Sequence, residues 1–317
     1  MPRLGNEFHM KRLMTIVAMA LLPCIAVCAQ NGEFKSLLVV DDGNDQVQLA
    51  PEDIPTYYRA MKVPEFAEFA GEVVDLRRFD IKERMDRELI AFSYSHSISL
   101  LMLKRSTRYF PIVEPILKEC GVPDDLKYLM VIESNLDPLA YSSAGAAGLW
   151  QFMQASGRQY GLEVNDNIDE RYNVEKATRA ACKYLLELYR KFGSWMAVCA
   201  SYNAGPAAIS KKMEEQKSGN VLNLWLVSET SRYMFRVLTC KMMFQDPKSF
   251  GFILDEDDYY PYVKPSKTVT VTETVPDLAS FAREHGTTYY SLRLANPWLR
   301  GLSLEDKSGR TYKVAIP

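Results

Sequence analysis

From residue 63 to about residue 250, apolar positions recur at spacings of three and four, the mark of helices with one buried face. Residues 81–108 carry Met85, Leu89, Phe92, His96, Leu100 and Leu103 on such a stripe and predict one amphipathic helix. Gly121-Val122-Pro123 interrupts the pattern, and Asp124 is the expected cap of the helix that follows. Residues 173–192 predict another helix, with Ala177, Ala180, Ala181, Tyr184, Leu185 and Leu188 inward. Residues 194–204 and 231–244 predict two more. No stretch of this region alternates as a strand does.

Near Leu254 the character changes. Asp255-Glu256-Asp257-Asp258, followed by Pro261 and Pro265, reads as a linker. Thr268-Val269-Thr270-Val271-Thr272 alternates as a strand. Asp277 caps a short helix that Gly286 ends, residues 289–295 suggest a second, and residues 311–316 read as a closing strand. The predicted class is mainly α: a helical domain at 63–253, a linker at 254–264 and a small β-α-α-β module at 265–317.

The N-terminus reads as an address. Lys11 and Arg12 precede an apolar stretch at 13–29, as in a secretory signal peptide, with cleavage expected before Gln30. Export to the periplasm is the expectation, with a loose leader at 30–62. A second reading makes Cys24 or Cys28 the lipidated first residue of a membrane-anchored lipoprotein, although Pro23 and Val27 suit that motif poorly. A third reading is a buried N-terminal helix.

Composition narrows the function classes. The 317 residues are 47% hydrophobic and 25% charged, which excludes a mostly disordered or fibrous chain. The 38 Lys and Arg against 40 Asp and Glu give a net charge of -2, so nothing draws the chain to nucleic acid. Loss of residues 1–29 removes Arg3, Lys11, Arg12 and Glu7 and leaves 35 basic against 39 acidic residues. His9, His96 and His285 are too scattered for a multi-histidine metal site. No Cys/His or Ser/His signature suggests a peptidase, and no metal or organic cofactor is indicated. Cys120, Cys182, Cys199 and Cys240 remain after processing. Their pairing is open, and Cys182 and Cys199 also fit as small core residues.

The chemistry concentrates at Glu133. Leu126, Leu129, Met130 and Glu133 fall on one helix face, so the carboxyl closes an apolar stripe. Desolvation there disfavours the charged form and raises the pKa, as a general acid near neutrality requires. The bland alternative is a solvated glutamate at a helix end. Gly145-Ala146-Ala147-Gly148 follows, small enough for close backbone approach or for a ligand. Trp150, Gln151 and Phe152 then set aromatic rings beside an amide, a mixture that suits sugars or, equally, a core. Tyr202 and Asn203 lie on a helix expected to end at Gly205-Pro206.

Taken in order, these pieces resemble the soluble-lytic-transglycosylase (SLT) catalytic domain, a goose-type lysozyme-like fold, across about residues 105–250. The resemblance runs from Glu133-Ser134 through Ala140 to Met153, then Asp169-Glu170-Arg171-Tyr172-Asn173, Ala180-Ala181, Tyr202-Asn203-Ala204-Gly205 and Glu229-Thr230 with Tyr233. Ser201 and Ser143 are mild departures. The tail resembles a divergent LysM module, on Leu278-Ala279, Asn296-Pro297 and Tyr312 to Pro317.

The resemblance implies cleavage of peptidoglycan glycan strands by a monomer. Glu133 would be acid and then base, and the muramic acid C6 hydroxyl would attack to leave a 1,6-anhydro end. The ordinary second carboxylate is then unnecessary. The resemblance further implies that Ser142 and Gln151 bond substrate and Met153 lines the groove. Tyr202 and Asn203 would flank Glu133, and Tyr233 would close the site. A water-using muramidase of the same fold and a non-catalytic wall-binding protein are the rival readings.

Overall fold

A computed structural model describes residues 39–41, 46–48, 61–305 and 309–317. The signal-peptide and lipidation readings, with Cys24 and Cys28, lie outside the described residues. Strands β1 (Val39–Asp41) and β2 (Gln46–Gln48) pair antiparallel within a separate N-terminal unit.

The larger unit, Pro55–Pro317, opens with a hairpin that the periodicity does not announce. Strands β3 (Phe66–Phe69) and β4 (Glu72–Asp75) pair antiparallel. Ala70 and Gly71 between them both take positive φ (54° and 82°), the two-residue turn whose twist matches the strands. Four-residue strands are too short to show alternation, and alanine is an unusual first residue for such a turn.

The single helix expected at 81–108 is two, α1 (Phe79–Tyr94) and α2 (His96–Glu119). They part at Ser95 (φ -86°, ψ 55°), where the Ser99 hydroxyl donates to the Phe92 carbonyl at 2.8 Å. That carbonyl would have served the next turn of a continuous helix. The apolar spacing persists across the break, so the pattern cannot reveal it. Asp124 does not cap the following helix. It lies in a 3₁₀ turn (Asp124–Leu126) and binds the Lys127 ammonium at 2.5 Å.

The remaining helices are α3 (Lys127–Ser134), α4 (Gln154–Gln159), α5 (Val174–Phe192), α6 (Trp195–Ala204), α7 (Pro206–Glu215) and α8 (Ser228–Gln245). Asn173 and Ser194 cap α5 and α6 through their side chains, as helix N-caps do. Pro206 does not merely end α6; it starts α7, where its missing N–H costs nothing.

Helix α3 runs through the middle of the core. Tyr128, Leu129, Met130, Val131 and Ile132 are all buried, and α2 and α8 pack against it. A helix apolar on every side belongs in an interior. Charged groups lock the surrounding frame. Glu88 of α1, only 1% exposed, is forked by Arg232 of α8 at 2.6 and 3.1 Å. The Lys241 ammonium of α8 reaches Glu68 of β3 and Asp125 before α3, at 2.7 Å each. Glu72 of β4 accepts from Ser194 Oγ and Trp195 N at the start of α6 (2.9 and 2.5 Å). The hairpin therefore fixes the helices that carry Glu133, Tyr202 and Tyr233.

Residues 254–264 lie along α2. Tyr260 N donates to the Lys104 carbonyl at 2.8 Å, Thr107 Oγ1 donates to the Tyr260 carbonyl at 2.7 Å, and Lys104 pairs with Asp258 at 3.2 Å. Backbone and charge hold this segment, and its composition alone reads as solvated. The tail is a β-α-α-β unit: β5 (Lys267–Val271), α9 (Leu278–Glu284), α10 (Tyr289–Ala295) and β6 (Tyr312–Ile316), with β5 and β6 antiparallel. Asn296 is buried and joins α10 to β6. Its Nδ2 donates to the Leu292 and Ala315 carbonyls (2.8 and 2.7 Å), and its Oδ1 accepts from Ala315 N (2.8 Å). Among the described residues Cys120, Cys182, Cys199 and Cys240 are all unbridged, and the last three are buried.

Candidate active site

Glu133 occupies the last turn of α3. Beyond it the chain turns through two consecutive left-handed residues, Asn135 (φ 51°) and Leu136 (φ 56°). Burial of Leu136 in the core and a hydrogen bond from Arg105 to the Asn135 carbonyl at 3.0 Å hold this turn. Left-handed non-glycine residues cost conformational energy and gather at functional sites. Gln151 is another, at φ 46°.

The Glu133 side chain keeps part of its surface open, yet protein packs closely around the carboxyl. Burial pushes its pKa up from 4.5 to about 7. The Tyr233 hydroxyl, which donates to Oε1 at 2.5 Å, and the Arg236 guanidinium pull it down, while Glu229 pushes it up. A position in the last turn of a helix, at the negative end of its dipole, also disfavours a negative charge. Glu229, Tyr233 and Arg236 recur at helical spacing on α8. In the sequence Glu229 stands out only within the Glu229-Thr230 motif, and Arg236 is signalled only by its charge one turn beyond Tyr233.

Tyr202, on α6, does not bond Glu133. Its hydroxyl donates to the Trp150 carbonyl at 2.7 Å. The Glu133 charge and, above all, burial hold the Tyr202 phenol well above its ordinary pKa, and burial does the same for Tyr233. Both phenols are therefore neutral donors. Asn203 is tied to α8: its Oδ1 accepts from Thr230 Oγ1 at 2.8 Å.

The loop after Glu133 folds upon itself. Ser142 Oγ accepts from Ala146 N at 3.0 Å, and Gln151 Nε2 donates to the Ala140 and Gly148 carbonyls (3.2 and 2.8 Å). Met153 is exposed at the loop's end, with Tyr141 and Leu139 exposed at its start. Gly148 serves backbone approach: a Cβ there would lie 2.0 Å from the Arg171 carbonyl oxygen. Of the two readings of Trp150 and Phe152, the core is correct. Both are buried, and the Trp150 indole N–H donates to Thr178 Oγ1 at 2.9 Å. Their rings offer no sugar platform. The structure thus joins Glu133 to Tyr233 directly. It sets Tyr202 beside them and gathers Ser142, Gln151 and Met153 on one loop. A hollow of about 380 Å³ lined by Glu187, Arg190, Lys191 and Pro206 holds none of these residues.

Residues 112–224 match the family model of the transglycosylase SLT domain. Residues 267–317 match that of the soluble lytic transglycosylase C-terminal LysM-like domain. The chain is 31% identical over 245 residues to the membrane-bound lytic murein transglycosylase D of Escherichia coli, covering 75% of this chain and 51% of that protein. It therefore spans about half the length of that relative. The peptidoglycan transglycosylase gp16 of Escherichia phage T7 is 33% identical over 118 residues, 36% of this chain and 9% of that one. Among solved structures, the 70 kDa soluble lytic transglycosylase of Escherichia coli aligns with a TM-score of 0.39 at 16% identity, covering 58% of this chain and 32% of that chain.

Proposed function

We propose, for a chain that carries a transglycosylase SLT domain followed by a C-terminal LysM-like domain, that it is a peptidoglycan lytic transglycosylase of the cell envelope. It cleaves the β-1,4 bond between N-acetylmuramic acid and N-acetylglucosamine. The observation that supports this most is the Glu133 carboxyl, with a pKa of about 7 and held by the Tyr233 hydroxyl.

Because Tyr233 donates to Oε1, that oxygen is an acceptor and Oε2 carries the acidic proton. Oε2 gives this proton to the bridging oxygen as the C1–O bond breaks. The resulting carboxylate then takes the proton of the muramic acid C6 hydroxyl as that oxygen bonds C1, which regenerates the acid and leaves a 1,6-anhydro end. One carboxyl thus serves both steps, as a pKa near the working pH favours. Ser142 and Gln151 bond polar groups of the strand, and Met153 lines the groove. Tyr202 and Asn203 border the acid, and Tyr233 orients it. Export to the periplasm, with or without a lipid anchor on Cys24 or Cys28, brings the enzyme to this substrate.

Mass spectrometry of the products from purified peptidoglycan tests the reading. Muropeptides one water lighter than hydrolysis products, with no reducing muramic acid end, are expected. Reducing ends would make the enzyme a muramidase. Binding to the wall without any release would make it a non-catalytic binding protein.

A further inference from the structure

One strip of chain, residues 163–172, lies between the C-terminal module and the candidate substrate loop. On the module side, Ile168 bridges Leu299, and Asp169 N donates to the Trp298 carbonyl at 2.9 Å. Arg300 N donates to the Asn167 carbonyl at 2.7 Å, and the Tyr312 hydroxyl donates to Glu163 Oε2 at 3.0 Å. The Arg300 guanidinium sits over the Tyr172 ring, 4.4 Å from its centre. Ile168, Tyr172 and Ala147 of the loop itself are buried in one apolar cluster with Trp298, Leu299 and Tyr312. A Cβ at Gly301 would lie 2.5 Å from Asn167 Oδ1, so the two surfaces abut.

On the loop side, Asp169 and Arg171 form a two-pronged buried pair, with Nε to Oδ1 at 2.9 Å and Nη2 to Oδ2 at 2.7 Å. The remaining Nη1 donates to the Gly145 and Phe152 carbonyls, at 2.7 and 3.0 Å. The planar guanidinium thus spends one edge on the carboxylate and its other end on two loop carbonyls, one at the middle of the loop and one near its end. A lysine, a single point charge, cannot reproduce this. Asp169 therefore receives the module through its backbone N–H and passes that position to the loop through its side chain.

We infer that the C-terminal module is a fixed brace for the active-site loop, with Asp169 and Arg171 as positioning residues, rather than a mobile appendage that only grips glycan. The inference rests on the proposed role of the loop that carries Gln151 and Met153, because a loosened loop misplaces the strand. Small misplacements in an active site cost rate steeply.

Two substitutions in the full chain test it. Gly301→Val wedges the interface without entering the module's own core. Arg171→Lys cuts the link from the loop side and leaves the module seated. Hydrogen exchange followed by mass spectrometry reads residues 145–153, with β5 and β6 as the control that the module stays folded. Kinetics on short soluble glycan strands read kcat and KM separately.

Both variants are expected to speed loop exchange and to lower kcat, each by at least about tenfold, with KM little changed. Unchanged loop exchange and kcat in Arg171→Lys overturns the brace. So does a Gly301→Val variant in which the amides of Asp169 and Arg300 lose protection while the loop keeps its own. A rise in KM alone also overturns it, since that is what a gripping module would give. If Gly301→Val unfolds β5 and β6, Arg171→Lys alone decides. Should the wild-type chain release no glycan, the proposed function fails, and the exchange measurement still decides the brace.

Discussion

Glu133→Gln is expected to lower the release of muropeptides by at least about 100-fold, the lower end of what a positioned general acid contributes. Glutamine keeps the shape and keeps an oxygen to accept the Tyr233 hydroxyl, so the packing around α3 survives. It has no proton to give the leaving oxygen and cannot take one from the C6 hydroxyl. The pH profiles should part as well. The wild-type acid must begin protonated, so its rate falls about tenfold per unit above its pKa of about 7. The residual rate of the variant lacks that limb. Release of soluble muropeptides from purified sacculi, measured at several pH values for both proteins, checks the loss and the missing limb together. Near-normal release by the variant would remove Glu133 from the mechanism.

The same substitution is expected to stabilise the fold at alkaline pH. The Glu133 carboxyl has a pKa of about 7 in the folded chain against an ordinary 4.5. Between these values the folded state holds a proton that the unfolded state has released. Stability therefore falls as pH rises from about 4.5 to about 7 and is flat beyond. The gap corresponds to about 3 kcal/mol, at 1.36 kcal/mol per unit. Glutamine does not titrate, so the variant escapes this loss. Urea denaturation should find the two proteins similar at pH 4. At pH 8 the variant should be more stable by about 3 kcal/mol. Equal stability at both pH values would show that the folded chain does not penalise the ionised carboxyl. The loss of activity and the gain in stability have one cause, because burial holds the proton ready for transfer and makes the ionised form costly.

Most helices were legible because they bury one face, and a period near 3.6 survives in the order of residues, whereas α3 and α6 are buried on nearly every side. Asp277 also announced its helix, since a cap is a local event. Glu133 closes an apolar stripe, which alone fits a solvated helix end as well; the ordered motifs from Ala140 to Tyr233 singled it out. What stayed hidden depends on the direction a side chain takes or on backbone pairing. Trp150 and Phe152 beside a glycine-rich loop spell the same string whether they face a groove or a core. The structure sends both into the core, one to Thr178. The hairpin at Phe66–Asp75 escaped because its four-residue strands lack a readable alternation, although Glu68 holds Lys241 of α8 and Glu72 holds the start of α6. The docking of the tail escaped for a related reason: backbone groups of Asn167, Asp169, Trp298 and Arg300 hold it, and those leave no trace in residue type.

The proposed chemistry requires the Glu133 carboxyl to be protonated at neutral pH. Carbon-13 NMR of selectively labelled glutamate, with the Glu133 resonance assigned by its absence in Glu133→Gln, reads that state directly. A titration midpoint near 7 is the expected result. A midpoint near the ordinary 4.5 would mean that Glu133 is ionised at working pH and cannot be the acid.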